Sequence, residues 1–128
     1  MDGKQFERWH VLKQSLHARN FFQYCAAGEI WVCAIGENIG REQNGKREMF
    51  QRPVFILKRF GNGTFLGIPL TSTVGFKKMF LQISGGSFLV LSQVRLWDTR
   101  RLIRNVRRVS AYEYEYVLLQ FINFLKEN

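Results

Sequence analysis

The sequence predicts a small α+β domain: a mainly antiparallel sheet or barrel with helices packed on it. Three observations predict it. Five or six short apolar runs have strand length, helical periodicity is confined to the two ends and one stretch in the last third, and Gly61-Asn62-Gly63 joins two adjacent runs as a hairpin. A length of 128 residues allows one domain with a modest core. A composition of 46% hydrophobic residues, with 12 Phe and 2 Pro, is that of a folded chain.

Taken in order, residues 6–19 place Phe6, Trp9, Leu12 and Leu16 at three- and four-residue spacing, which predicts a short amphipathic helix that docks on the rest. Residues 29–35 (EIWVCAI) are a β-rich run opened by Gly28. Residues 36–51 carry three glycines and no apolar period, and a loop of that length in a small domain is usually functional or disordered. Strands are expected at 53–60 (PVFILKRF) and 64–70 (TFLGIPL), on either side of the glycine turn, and at 77–83 and 87–95. A helical piece at 97–103 and a strand at 105–109 follow. The last helix runs from Ala111 to Lys126, with Ser110 as N-cap and Glu113 as the reciprocal member of a capping box. Its Tyr114, Val117, Leu118, Phe121, Ile122 and Leu125 form one stripe, for the core or an interface.

The net charge of +9 is unevenly distributed. Residues 41–108 hold fourteen Lys or Arg against three acids, whereas the rest of the chain holds five against seven. Six arginines fall between Arg95 and Arg108. Such a cluster attracts polyanions by neutralising phosphates, although a solvated face would look the same. Arg outnumbers Lys twelve to seven, and its planar fork suits phosphate, which favours a nucleic-acid partner. No apolar run reaches membrane-spanning length, and the N-terminus lacks the apolar core of a signal peptide, so a cytoplasmic protein without membrane contact is expected. Cys25 and Cys33 read as buried small hydrophobes in a reducing compartment.

Most catalytic constellations are absent. His10 and His17 lie on the N-terminal helix with no Cys or acid at matching spacing, so no metal is expected, and no Gly-Lys-Ser/Thr phosphate loop is present. What remains is the segment GREQNGKREMFQRPVFIL at 40–57 together with PLTST at 69–73. RNA is cleaved without metal when its own 2′-hydroxyl attacks, and the protein then supplies proton transfer and donors on the phosphate. Glu42 as proton acceptor, Arg52 on the phosphate charge and Thr71 or Ser72 as hydroxyl donors are a sufficient set. Each has a plain alternative: a loop charge, a surface cation before Pro53, and a strand-end residue favoured for β propensity.

Gly28-Glu29-Ile30-Trp31, Gly40-x-Glu42-Gln43-x-Gly45, Arg52-Pro53-Val54 and Pro69-Leu70-Thr71-Ser72, in this order, resemble the MazF/PemK family of bacterial toxins. The stretch 90–110, with Gln93-Val94-Arg95, Asp98, Arg101-Leu102 and Arg108, is similar to it too, and coverage is about four-fifths of the chain. The resemblance implies an SH3-like barrel of the CcdB/MazF toxin type, usually homodimeric. It also implies a cofactor-free, metal-independent and sequence-selective endoribonuclease that cuts single-stranded RNA. Products would carry a 2′,3′-cyclic phosphate and a 5′-hydroxyl, and an acidic antitoxin would occupy the RNA groove.

By this match Arg52 and Thr71 inherit the catalytic roles with Glu42 in support, and Gln43, Lys46, Arg47, Ser72, Gln93 and Arg95 the RNA contacts. Residues 1–27 would be an N-terminal helical extension and 28–128 the toxin-like barrel with its C-terminal helix, within one domain. The departures are that helix, about four extra residues, Lys46 to Met49, before Arg52, and Val90, Leu91 and Ser92 where some members carry acidic and basic groups before the Gln-x-Arg motif. The alternatives are a gyrase-inhibiting toxin of the CcdB type and a non-catalytic RNA- or DNA-binding module.

Overall fold

The structure, a computed structural model, describes residues 5–19, 23–36, 38, 45, 50–73 and 77–127. Helix α1 (Phe6–His17) precedes strands β1 (Glu29–Ala34), β2 (Gln51–Phe60), β3 (Thr64–Thr71), β4 (Phe80–Gln82), β5 (Phe88–Val90), β6 (Arg95–Asp98) and β7 (Leu102–Arg108), and helix α2 (Ala111–Lys126) closes the order. The seven strands pair antiparallel as β4-β5-β3-β2-β1-β7, with β6 also on β3.

Strand β2 lies at the centre because Val54, Phe55, Ile56 and Leu57 are all buried, so both of its faces are covered. Phe55 and Leu57 join Ile30, Ile68, Leu70, Leu89, Val117 and Phe121 in a core under α2. Val54 and Ile56 join Cys25, Trp31, Cys33, Phe65, Trp97 and Leu102 in a second core on the other face. At Gly67 a Cβ would stand 2.6 Å from Val54 and 2.8 Å from the Phe65 ring, so only glycine lets the strands approach this closely.

The β2–β3 hairpin carries a one-residue bulge. Phe60 pairs with Thr64 and Lys58 with Leu66, but the register shifts between Ile56 and Lys58, after which Val54 pairs with Pro69. Leu57 is the extra residue, and its carbonyl accepts the hydroxyl of Tyr114 on α2 at 2.7 Å. The helix thus satisfies the polar group that the bulge frees from the ladder.

Several expectations need correction. The run 77–83 is strand only over Phe80–Gln82, after a 3₁₀ turn at Lys77–Met79. The run 87–95 breaks at a 3₁₀ turn, Leu91–Gln93, because β3 changes partner there: β5 pairs with Leu70 and Thr71, and β6 with Thr64–Gly67. The stretch 97–103 holds one 3₁₀ turn, Thr99–Arg101, between two strands, and Asp98 caps it by accepting the Arg100 N–H at 2.8 Å. The capping box on α2 is half formed. Ser110 Oγ accepts the Glu113 N–H at 3.0 Å, but the Glu113 carboxylate accepts from Ser84 N–H, 2.9 Å away on the β4–β5 turn. The stripe on α2 is also divided, with Val117 and Phe121 buried while Ile122 and Leu125 join Tyr112, Tyr116 and Leu119 on an exposed apolar face.

Helix α1 docks as its spacing predicts, through buried Trp9 and Leu16 with Leu12 partly covered, although Phe6 is exposed. Both cysteines are free and buried. No described helix is long and apolar enough to cross a membrane.

Candidate active site

Where β2 begins and β3 ends, Arg52 and Thr71 come together. Carrying the Val54–Pro69 pairing two residues further sets Arg52 opposite Thr71. Without the bulge at Leu57, the register of the hairpin end would have set Arg52 opposite Ser72 instead. A cavity of about 210 Å³ opens here, lined by Gln51, Arg52, Pro53, Leu70, Thr71, Ser72 and Ser87. The half-buried Arg52 guanidinium donates through Nη1 to the Leu70 carbonyl at 3.3 Å, and burial lowers its pKa from the ordinary value. Thr71 Oγ1 accepts the Thr73 N–H at 3.2 Å, which turns the chain and leaves the hydroxyl hydrogen to donate elsewhere. Ser72 is exposed on the rim.

A second cavity, about 580 Å³, is lined by Ile35, Asn38, Pro69, Ser92, Gln93, Val94, Arg95 and Trp97, of which Pro69 directly precedes Leu70 of the first. It lies where β3 changes partner from β5 to β6, and Pro69, with no N–H, suits a strand edge left without a ladder. Gln93 and Arg95, expected as RNA contacts, both face it. The Arg95 guanidinium stacks 4.0 Å from the centre of the Trp97 ring, whose buried Nε1 has no hydrogen-bond partner among the described residues.

Glu42, Gln43, Lys46 and Arg47 lie outside the described residues. Both ends of their loop are described. The Phe50 carbonyl accepts from Ile35 N–H at 3.0 Å and Gly36 N–H at 3.2 Å, and the Gly36 carbonyl accepts from Gly45 N–H at 2.7 Å. Asn38, Ser87, Ser92 and Trp97 are lining residues that the sequence did not single out. The only signal for Trp97 was an apolar residue in a stretch read as helical.

The arginine cluster is not one patch. Arg100 forms an ion pair with Asp98 at 2.8 Å, which lowers the Asp98 pKa. Arg107 donates to the Ser84 hydroxyl at 3.1 Å. Arg101 donates to the Ala34 carbonyl at 3.1 Å and lies 5.5 Å from the Trp9 ring and 5.1 Å from the Trp97 ring, and burial lowers its pKa. Of the six, Arg95 alone lines the larger cavity, while Arg104 and Arg108 are exposed on β7. Among the described residues no group of three His, Cys, Asp or Glu side chains converges as a metal-ligand set.

Residues 26–125 match the family model of the PemK-like, MazF-like toxins of type II toxin–antitoxin systems. Among curated proteins no significant sequence match is found. Solved structures are similar at low identity. An endoribonuclease from a Mycobacterial species, in complex with its cognate antitoxin, superposes with a TM-score of 0.62 at 11% identity, covering 82% of this chain and 98% of its own. A MazE–MazF structure from Deinococcus radiodurans gives 0.62 at 18% identity, covering 83% of this chain and 100% of that one. The Mycobacterium tuberculosis toxin MazF-mt6 gives 0.57 at 14% identity over 78% of this chain and 98% of that one. At these identities the likeness establishes a common α+β fold. None of these findings supports the gyrase-inhibitor alternative.

Proposed function

The chain belongs to the PemK-like, MazF-like toxin family of type II toxin–antitoxin systems, and we propose that within it the protein is an endoribonuclease that cuts single-stranded RNA. The observation that carries this reading is that Arg52 and Thr71, from the start of β2 and the end of β3, line one cavity, while Gln93 and Arg95 line a larger one.

In the proposed reaction the 2′-oxygen of the RNA attacks the adjacent phosphorus and the bond to the 5′-oxygen breaks. A 2′,3′-cyclic phosphate and a 5′-hydroxyl result. The proton leaving the 2′-hydroxyl needs an acceptor, for which Glu42 is the supporting assignment, and the departing 5′-oxygen takes up a proton. Arg52 carries the largest share. Burial lowers its pKa, but a guanidinium is so strong a base that it keeps its charge and neutralises the crowded phosphate. Thr71 donates its hydroxyl hydrogen to a non-bridging oxygen, and Ser72 stands beside it. Gln43, Lys46, Arg47, Gln93 and Arg95 are assigned to the flanking nucleotides.

The reading extends to partners. The structure from the Mycobacterial species holds an endoribonuclease with its cognate antitoxin. For this chain we infer an acidic antitoxin that covers the same cavities, drawn by the excess of fourteen basic over three acidic residues between 41 and 108. A homodimer and action on messages in the cytoplasm complete the proposal. A copy released from its antitoxin would stop translation.

The experiment is to incubate purified protein with long single-stranded RNA in EDTA and to sequence the cut ends. Cutting is expected to survive chelation, to leave cyclic phosphates, and to spare DNA, which has no 2′-hydroxyl. Intact RNA from the wild type, or undiminished cutting by both Arg52→Ala and Thr71→Ala, would overturn the assignment.

A further inference from the structure

Helix α1 lies outside the matched family region, which begins at residue 26, yet it packs against neighbours of residues that line the larger cavity. The contact is made by Trp9. Its ring occupies the space beside Gly36 so fully that a Cβ there would fall 2.1 Å from Trp9 Cε2. Gly36 has φ +87°, so both the space and the backbone demand glycine. The Trp9 ring also meets Phe50 at 5.6 Å between centroids, and Leu16, Ala34 and Phe50 complete this small core.

Two routes lead from that ring to the cavity wall. One passes through Gly36 to its neighbour Ile35, whose carbonyl accepts the Asn38 side-chain N–H at 3.1 Å, and both Ile35 and Asn38 line the cavity. The Phe50 carbonyl, holding Ile35 and Gly36 together, fixes this wall to the start of β2. The other route passes through Arg101, which lies 5.5 Å from the Trp9 ring and 5.1 Å from the Trp97 ring, a second wall of the same cavity. Arg101 is held between them by its bond to the Ala34 carbonyl. Cation–π contacts of this kind strengthen when they are shielded from water.

We propose that Trp9 is a positioning residue for RNA binding: from behind the cavity it fixes Ile35 and Asn38 through Gly36, and Trp97 through Arg101, and so governs how selectively RNA is held. This rests on the reading that the cavity receives the RNA cut at Arg52 and Thr71. The reaction pair itself sits on β2 and β3, where Arg52 pairs with Cys33 of β1 and donates to the Leu70 carbonyl, contacts that the Trp9 ring does not make. Loss of the Trp9 ring therefore changes substrate binding and leaves the chemical step nearly intact.

The test uses the full chain and short single-stranded RNA substrates in EDTA, with kcat and KM measured separately, cut sites sequenced, and assays run well below each variant's unfolding temperature. Trp9→Ala is expected to raise KM about tenfold or more, to widen the set of sequences cut, and to leave kcat within about threefold. Trp9→Phe, which keeps a ring against Phe50 and Arg101, is expected to restore KM to within about threefold of wild type. A merely structural role would lower the unfolding temperature without moving KM or the cut pattern. Should Trp9→Ala fail to fold, Trp9→Leu fills the apolar space without a ring and carries the same expectation. Unchanged KM and cut pattern in a folded variant overturn the proposal, as does a fall in kcat alone. If wild type cuts RNA and the Trp9 variants match it, only the positioning role falls; if wild type leaves RNA intact, both readings fall.

Discussion

Arg52 donates through Nη1 to the carbonyl oxygen of Leu70, 3.3 Å away, so the cation is tied to the residue that directly precedes Thr71. A backbone oxygen cannot swing away as a side chain can, and the bond holds the guanidinium where Arg52 lines the cavity. Arg52→Lys keeps the charge but loses the planar fork that reaches a carbonyl and a phosphate together. Single-turnover cleavage of a fluorogenic RNA oligonucleotide is expected to slow about 10²–10³-fold in Arg52→Lys, a loss typical of one transition-state donor. A lysine variant within a few-fold of wild type would mean that charge alone suffices.

Thr71 separates hydroxyl chemistry from strand packing. Its Oγ1 accepts from the exposed Thr73 N–H, which water can satisfy if the oxygen is lost. Thr71→Ser is expected to retain the rate within about threefold and Thr71→Ala to lose about 10²-fold, both with stability changed by less than about 0.5 kcal/mol. Equal rates for the alanine and serine variants, measured beside thermal melts, would remove the hydroxyl from the mechanism.

The buried thiols give a pH dependence with a definite sign. Burial pushes Cys25 up to about 11 and raises Cys33 as well. A thiol raised in the folded state holds its proton where the unfolded chain has released it. Stability from this source is therefore full below the ordinary thiol pKa of about 8.5 and declines as pH rises toward about 11. Urea midpoints measured at pH 8 and at about pH 10.5 are expected to fall, and the Cys25→Ala/Cys33→Ala double variant is expected to fall less. Below pH 8 neither thiol is expected to react with a chromogenic disulfide until the protein unfolds.

Helix α2 is capped at one end of a network instead of by a closed box. Ser110→Ala removes the acceptor for the Glu113 N–H and is expected to cost about 1 kcal/mol by denaturant titration. Glu113 acts on the β4–β5 turn, where its carboxylate accepts from Ser84. A double-mutant cycle of Ser84→Ala with Glu113→Ala is accordingly expected to be non-additive, whereas Ser110→Ala with Ser84→Ala should approach additivity.

Much of this was legible in the residues, for reasons that are physical. Four consecutive buried positions, Val54 to Leu57, read as a strand because no polar residue interrupts them, and their burial on both faces is what makes it central. The Gly61-Asn62-Gly63 turn fixed the hairpin and so brought the start of β2 near the end of β3, but the bulge at Leu57, which decides the register there, left no mark in the sequence. The 3₁₀ turns at 77–79, 91–93 and 99–101 were hidden, since three residues are too few to show a period. Trp97 was missed for the same reason: a strand of four residues beside such a turn resembles a helical fragment. The arginine cluster was over-read because composition cannot tell a guanidinium that faces solvent from one bonded to Asp98, Ala34 or Ser84. The reciprocity expected of Glu113 failed because a partner distant in sequence, Ser84, competes for the same carboxylate.

The extra residue at Leu57 makes strand length a chemical variable. Because the bulge shifts β2 by one place, the Val54–Pro69 register carried to the strand end runs to threonine and not to the neighbouring serine opposite the arginine. Two relatives with identical residues at Arg52, Thr71 and Ser72 would set different hydroxyls opposite the arginine if one of them lacked the bulge. Comparing such sequences by matched letters alone would miss the exchange; counting residues between the arginine and the glycine turn would find it.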